Sequence, residues 1–111
     1  MTWEIKYYNE KLENEILNLP GGLLARYLRL TDLMTEFGGN LGPPHTQPID
    51  SGLFELRVKG KEGIARVFFC LKIGKKIIVL HSFIKKSQKT PKKEIKVAKK
   101  RMKEVIKDES F

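Results

Sequence analysis

The fold is decided by residues 53–84, which read LFELRVKGKEGIARVFFCLKIGKKIIVLHSFI. Three apolar runs lie within this stretch, at 53–58, 64–71 and 77–84, and short segments that contain glycine separate them. Runs of this length, rich in valine, isoleucine and phenylalanine, are typical of β-strands. Glycine loops this short favour hairpins. The stretch therefore predicts a meander of three antiparallel strands.

Polar residues on these strands indicate where a functional surface lies. Alternation along the first strand predicts two different faces. One face is apolar and is formed by Phe54, Leu56 and Val58. The opposite face is solvated and largely basic and is formed by Glu55, Arg57 and Lys59. Arg66 interrupts the second strand and His81 the third. Arg66 is either a salt-bridge partner, with Glu55 as the candidate, or a functional cation. His81 is either a hydrogen-bonded core histidine or a functional one, and the pattern leaves both questions open.

The residues before the meander predict mainly helices. Residues 3–7 alternate apolar and charged side chains, which predicts a short strand at the edge of the sheet or in a hairpin. Asn9 is a helix cap for a first helix that ends near residue 18, and Pro20-Gly21-Gly22 separates it from a second helix over residues 23–37. The two helices are expected to form an antiparallel hairpin. Residues 38–52 are rich in glycine and proline and predict a loop.

The residues after the meander carry the charge of the protein. Residues 85–107 hold eleven lysines and arginines against two acids, which equals the +9 of the whole chain. Thr90-Pro91 predicts a helix cap followed by proline at the first helical position. The helix is expected to pack through one stripe, formed by Ile95, Ala98, Met102, Val105 and Ile106. Its basic surface is either a phosphate-binding face or simply a solvated one.

Composition limits the classes of protein that this chain can be. Its 111 residues, 41% of them apolar, predict one folded domain over residues 1–111. No apolar run approaches the roughly 18 residues of a membrane span, and the N-terminus lacks a signal sequence, so a soluble cytoplasmic protein is expected. Cys70 lies in an apolar run and is expected to be a buried thiol. With two histidines, one cysteine and no glycine-rich phosphate loop, the sequence predicts neither a metal site nor a cofactor.

Three segments resemble a known family. They are the predicted helical hairpin running into GGNLGPP at 38–44; Gly52–Arg57 followed by Ala65–Phe69; and Ile78–Pro91, whose KKSQKTP turn leads into the basic helix and is the most specific. On these segments the chain resembles the RelE superfamily of toxin–antitoxin ribonucleases, in its HigB-like branch that includes phage-derived proteins. The resemblance implies an α+β fold in which an N-terminal strand and a two-helix hairpin pack on an antiparallel meander sheet, followed by a basic C-terminal helix.

The resemblance also implies a function. Such a toxin of a type II system enters the ribosomal A site and cuts mRNA without a metal, because the 2′-hydroxyl of the mRNA attacks the adjacent phosphate. The implied partners are the ribosome with its mRNA and a cognate antitoxin, a HigA-like helix-turn-helix protein through which alone operator DNA is bound. Two other functions stay open: a ParE-like toxin that inhibits a protein target such as gyrase, and a non-catalytic module that binds RNA or the ribosome.

Site residues follow from the resemblance position by position. Arg66 and Lys86 are expected at the scissile phosphate, and Lys59 is the candidate general base. Relatives place a tyrosine or histidine near the C-terminus, whereas this chain has none from Lys85 onward, so His81 is the candidate acid. The residues expected to bind RNA or the ribosome are Arg57, Lys85, Lys89, Lys92, Lys96, Lys99, Lys100 and Lys103.

Overall fold

A computed structural model describes residues 2–85 and 91–111 of the protein. Over these residues the chain has an α+β fold, as expected from the resemblance. The elements in chain order are β1 (Glu4–Tyr7), α1 (Glu10–Leu17), α2 (Gly21–Phe37), β2 (Thr46–Asp50), β3 (Leu53–Gly60), β4 (Gly63–Lys72), β5 (Lys76–Lys85) and α3 (Lys92–Lys107).

The strands form one sheet in the order β1-β5-β4-β3-β2. The predicted antiparallel meander of β3, β4 and β5 is confirmed. β1 is an edge strand, but it runs parallel to β5 and not in a hairpin. Because two helices follow β1, the next strand along the chain does not pair with it. The neighbour of β1 in the sheet is β5, which is distant in sequence.

The prediction that residues 38–52 are a loop is wrong in part, because β2 lies within them and pairs antiparallel with β3. Pro48 lies inside β2 and is paired opposite Phe54. Proline has no backbone N–H, so it fits in a strand only at a position where no neighbouring strand needs that donor, as on the outer side of an edge strand. Composition alone therefore indicated a loop where a proline-containing edge strand forms.

Helices α1 and α2 pack on one face of the sheet. Asn9 caps α1 as predicted, since its side chain accepts a hydrogen bond from the Leu12 N–H at 2.8 Å. The hydroxyl groups of Tyr7 and Tyr27 are hydrogen-bonded at 2.8 Å within this face. The fully buried core on this side of the sheet includes Leu12, Ile16, Leu23, Leu30, Leu56, Val58, Val67 and Phe69.

Helix α3 packs on the opposite face, over Leu53, Phe68 and Leu80. Ala98 and Val105 of the predicted stripe are fully buried, whereas Ile106 is 57% exposed and was wrongly included. Pro91 is the N-cap residue, so it precedes the first helical position rather than occupying it, and Thr90 lies outside the described residues.

Polar contacts add to this apolar packing of α3. The Arg101 guanidinium donates to the Leu80 carbonyl at 2.9 Å and lies 4.6 Å from the ring centre of Tyr8. The Lys72 ammonium donates to the carbonyls of Val105 and Asp108 at 2.8 Å each, where the end of a helix leaves its acceptors free. Helix α3 is thus fixed to the sheet along its length.

None of the helices that the structure describes has the length and apolar character needed to span a bilayer. Cys70 is buried, and burial raises the pKa of its thiol to about 11. A thiol with a raised pKa forms little thiolate near neutral pH, which agrees with the expected structural role.

Candidate functional site

Charged side chains converge on the α3 face of the sheet, beside the area that the helix covers. Arg57 on β3 pairs with Arg66 on β4, and Lys85 on β5 pairs with Ile64. Since alternate residues share a face, this register places on one side a set that we call the charged cluster. It consists of Glu55, Arg57, Lys59, Arg66 and Lys85.

The centre of the charged cluster is a buried ion pair between Arg66 and Glu55. The two side chains are 4% and 0% exposed, and the Gln47 amide also donates to Glu55 Oε1 at 3.3 Å. A buried carboxylate is stable only when it is paired and hydrogen-bonded. The structure thus gives Arg66 the salt-bridge partner named as one of its two interpretations, and it corrects the expectation that this whole face is solvated.

Lys85 closes the buried end of the charged cluster and is only 6% exposed. Burial lowers the pKa of its ammonium, and the nearby positive charges of Arg66 and Arg57 lower it further while Glu55 opposes them. A lysine with a lowered pKa has a larger neutral fraction, which is what a general base requires. The sequence placed Lys85 among RNA-binding residues because its burial depends on strand register.

Arg57 and Lys59 form the accessible end of the charged cluster. Lys59 is exposed and Arg57 half-buried. The Arg57 backbone N–H donates to the His45 carbonyl at 2.8 Å. Its side-chain Nε is buried and has no hydrogen-bond partner among the residues that the structure describes. Both side chains line a pocket of about 230 Å³ together with Arg26, Pro44 and His45.

Arg26 and His45 are site residues that the sequence did not predict. Arg26 lies on α2, far from the meander in sequence, and His45 lies in the segment taken for a loop. Neither belongs to a local motif. His45 comes next to Arg57 only because β2 pairs with β3. Sequence reasoning could have found His45 only by recognising β2, and the glycine and proline content of residues 38–52 had indicated a loop instead.

His81, the candidate acid, shares the α3 face with Arg66. A register shift between Phe68 and Phe69 leaves Leu80 and His81 both on this side. The His81 Nε2 lies 3.3 Å from Glu94 Oε1 on α3, and the His81 ring stacks against the rings of Phe68 and Phe83, with 6.4 and 6.2 Å between ring centres. The contact with Glu94 attaches His81 to α3 rather than to the pocket.

The predicted lysines of α3 divide into two kinds. Lys99 forms an ion pair with Asp50, with 2.5 Å between its Nζ and Oδ2 of the carboxylate, and this contact lowers the pKa of Asp50. The others that the structure describes are exposed: Lys92, Lys96, Lys100 and Lys103. Lys86 and Lys89 lie outside the described residues. Within residues 2–85 and 91–111, no three histidine, cysteine or acidic side chains are grouped so that they could hold a metal ion.

Comparison with known proteins identifies the family. The family model described as Phage derived protein Gp49-like matches residues 14–103. No curated protein matches the chain. A solved structure that it resembles is the crystal structure of the archaeal RelE-RelB complex from Pyrococcus horikoshii OT3, with a TM-score of 0.54 and 18% identity over 76% of this chain and 96% of that one. The likeness in structure confirms the RelE-like fold, and the chain belongs to the Gp49-like family of phage-derived proteins.

Proposed function

We propose that this protein is the toxin of a type II toxin–antitoxin system and cuts mRNA on the ribosome. The observation that supports this is the convergence of four cationic side chains on one sheet face, around Arg57, beside a helix that carries further lysines. Convergent cations suit an anionic transition state. An inhibitor of a protein target has no need for such convergence, so the arrangement favours a nuclease over a ParE-like inhibitor.

The proposed reaction is a transesterification within the RNA. The 2′-oxygen bonds to the adjacent phosphorus while the bond from phosphorus to the 5′-oxygen breaks. The 2′-hydroxyl proton passes to a base, and the departing 5′-oxygen receives a proton from an acid. The products are a 2′,3′-cyclic phosphate and a 5′-hydroxyl. The protein must align the attack and stabilise negative charge on the phosphoryl oxygens.

Arg57 and Lys59 have the exposure that contact with this phosphate requires. The guanidinium fork of arginine matches two phosphate oxygens at once. Arg66 acts as a positioning residue through its pair with Glu55, and it adds positive charge behind the site. The role of Lys86 at the scissile phosphate stays a prediction, because Lys86 lies outside the described residues.

Proton transfer is assigned to lysine and histidine. We propose Lys85 as the base in place of Lys59, because it lies on the same sheet face as Arg57 and Arg66 and its pKa is lowered by burial and by these neighbouring cations. His81 is attached to Glu94, whereas His45 lines the pocket with Arg57 and Lys59. We therefore propose His45 as the acid in place of His81, since it lies beside the accessible cations.

The ribosome and an antitoxin are the proposed partners. The exposed lysines of α3 suit contact with phosphates of ribosomal RNA, and the ribosome would bend the mRNA into the alignment that a cationic site alone does not impose. The likeness to a RelE–RelB complex supports a protein antitoxin. We propose that this antitoxin is HigA-like, places acidic residues against the basic surface and supplies the binding to operator DNA.

Cleavage on programmed ribosomes tests the proposal. Purified protein is mixed with ribosomes that hold a defined mRNA codon in the A site, and mass spectrometry identifies the new 3′ ends. We expect cyclic phosphate termini, slow cleavage of the same RNA without ribosomes, and strongly reduced cleavage by Arg57→Gln. Growth arrest in cells without any cleavage on ribosomes would contradict the nuclease function, and inhibition of DNA supercoiling would then indicate a gyrase inhibitor.

A further inference from the structure

The pocket lies where β3 extends beyond its edge neighbour. β2 begins at Thr46, which pairs with Leu56, so on this edge β3 continues from Arg57 beyond the end of β2. The segment just before β2 turns across this edge and forms one wall of the pocket with Pro44 and His45. Arg26 on α2 closes the other side. The pocket is thus built by three separate parts of the fold.

The charges of the pocket select an anionic ligand. Its lining includes three basic side chains, Arg26, Arg57 and Lys59, and within the described part of the chain no carboxylate lines it. The Arg57 Nε is buried without a hydrogen-bond partner among the described residues. A buried donor of this kind costs free energy until an acceptor reaches it. Phosphate oxygens are acceptors that suit the planar forks of two arginines.

The remaining walls suit the uncharged parts of a nucleotide. Pro44 is exposed and His45 is half-buried, and both line the pocket. Single-stranded RNA is commonly recognised by aromatic side chains such as histidine, which stack on its bases, and the Pro44 ring offers an apolar contact next to His45. The volume of about 230 Å³ is below that of pockets for drug-sized molecules and therefore suits part of one nucleotide.

We propose that this pocket binds the nucleotide next to the scissile phosphate, with its phosphate on Arg26 and Arg57 and its base or sugar against His45 and Pro44. Arg57 and Lys59 belong both to the pocket and to the charged cluster, so one strand of RNA can occupy the two together. The pocket then fixes which step of the strand faces the catalytic groups. This inference rests on the proposed function and adds a recognition site to it.

An acidic side chain of a protein partner is the competing occupant. A carboxylate would satisfy the two arginines, but it would leave the rings of Pro44 and His45 that line the pocket without a role. Continuity with the charged cluster also favours a strand that carries repeated phosphates. The experiment below therefore includes an acidic peptide as a competitor.

Binding of a short RNA that cannot be cleaved tests the pocket directly. The probe is a fluorescent trinucleotide with 2′-O-methyl groups, which block attack by the 2′-oxygen. Arg26→Ala should weaken its binding by roughly tenfold, as expected when a charge-assisted hydrogen bond is removed. Arg29→Ala is the matched control, because Arg29 is exposed on the same helix and does not line the pocket, and it should change binding less than twofold. Arg26→Lys should be intermediate, since it keeps the charge without the fork.

Three outcomes of the binding experiment would overturn the proposal, and one would support it. Equal effects of Arg26→Ala and Arg29→Ala would overturn it, because only general charge would then matter. It would also be overturned if inorganic phosphate bound as tightly as the trinucleotide, or if a glutamate-rich peptide bound more tightly and failed to bind Arg26→Ala. Binding of the trinucleotide that depends on Arg26 supports the pocket even if programmed ribosomes stay uncut, and that combination would refute the nuclease function alone.

Discussion

The two faces of the sheet have the same strands and very different contents. The face under α1 and α2 is mostly apolar along the meander, with Val58, Val67 and Phe69 fully buried. The face under α3 is divided, since Leu53 and Phe68 pack beneath the helix while Arg57 and Arg66 lie beyond it. One face therefore holds the fold together, and the other combines packing with a charged site.

The divided face includes features that packing alone would not select. It buries a carboxylate and an arginine, and it lowers the pKa of Lys85 by burying it near two other cations. Buried ion pairs contribute little net stability compared with apolar residues of the same volume. Their presence on this face and their absence from the described core of the other face support the proposal that the charged cluster serves function. The following predictions test this difference between the faces.

The largest expected effect is on the buried ion pair. Arg66→Met should lower the free energy of unfolding by about 3–5 kcal/mol, because it removes the arginine that pairs with the buried Glu55 carboxylate. The double variant Glu55→Leu with Arg66→Met should recover most of that stability. Urea denaturation of both variants measures this difference. A cost below about 1 kcal/mol for the single variant would show that the pair is not important for the fold.

The apolar face should respond to packing alone. Leu30 is 1% exposed on α2, and Leu30→Ala should cost about 2–5 kcal/mol through the cavity that it leaves. Leu28→Ala on the same helix is the control, because Leu28 is 46% exposed, and it should change stability by less than about 0.5 kcal/mol. Cleavage by the folded fraction of Leu30→Ala should stay near normal. If the Leu30→Ala variant is fully folded under the assay conditions and still cleaves much more slowly, the division of roles between the two faces would be contradicted.

Lys85 should affect chemistry more than folding. If it is the base, Lys85→Met should slow single-turnover cleavage on ribosomes by roughly 10²-fold or more, as expected when general base catalysis is removed. In a His45→Gln variant, which lacks the proposed acid, the remaining rate should rise with pH until it passes the lowered pKa of Lys85 and then level off. Lys59→Met is the comparison. A larger effect at Lys59 than at Lys85 would return the role of base to Lys59.

The lowered pKa of Lys85 also predicts how stability depends on pH. The folded protein releases the Lys85 proton at a lower pH than the unfolded chain, whose lysine has the ordinary pKa of 10.5. Between those two pKa values the unfolded chain binds more protons, so stability increases with pH across that window. Lys85→Met should lack this increase. Urea denaturation of both proteins at several pH values up to about 10.5 measures it, and parallel curves would contradict it.

The smallest effect on stability is expected on the outer surface of α3. The double variant Lys96→Ala with Lys100→Ala should bind ribosomes more weakly. The plot of the logarithm of the binding constant against the logarithm of the salt concentration should become less steep, by roughly 0.7 to 0.9 for each phosphate that the variant no longer neutralises. Cleavage by the bound protein should remain near normal. Lys99→Ala serves as the control, because Lys99 is already paired with Asp50 and should contribute less to binding. An unchanged salt dependence in the double variant would exclude these lysines from the ribosome-binding surface.

Much of the fold could be predicted because it depends on local patterns. The strands of the meander, the Asn9 cap and the burial of Ala98 and Val105 follow from alternation, capping and helical spacing, each of which lies within a few residues. The local errors were small and concern the burial of Ile106 and the position of Pro91 at the start of α3, whereas the larger errors concern pairing over long distances. β1 was not expected to be parallel to β5, and β2 was concealed by proline.

The candidate site was predicted less completely for the same reason. Alternation placed Arg57 and Lys59 on one face, and the family resemblance indicated that this face is functional. Neither indicated that Arg66 and Lys85 are buried, because burial depends on the neighbouring strands and on α3. Lys86, at the centre of the predicted site, lies outside the described residues, so its role stays a prediction.

The sequence by itself determined the strands of the meander and the position of the charge, since each follows from short patterns and composition, and its resemblance to known proteins indicated the class of fold and the family. Tertiary structure alone decided which charges are buried and which are accessible. It joined Arg26 of α2 and His45 before β2 to Arg57 of β3, and it turned Arg66 toward Glu55. The physical reason is that a pKa, an ion pair and a pocket depend on distances between elements, and the register of the sheet fixes those distances.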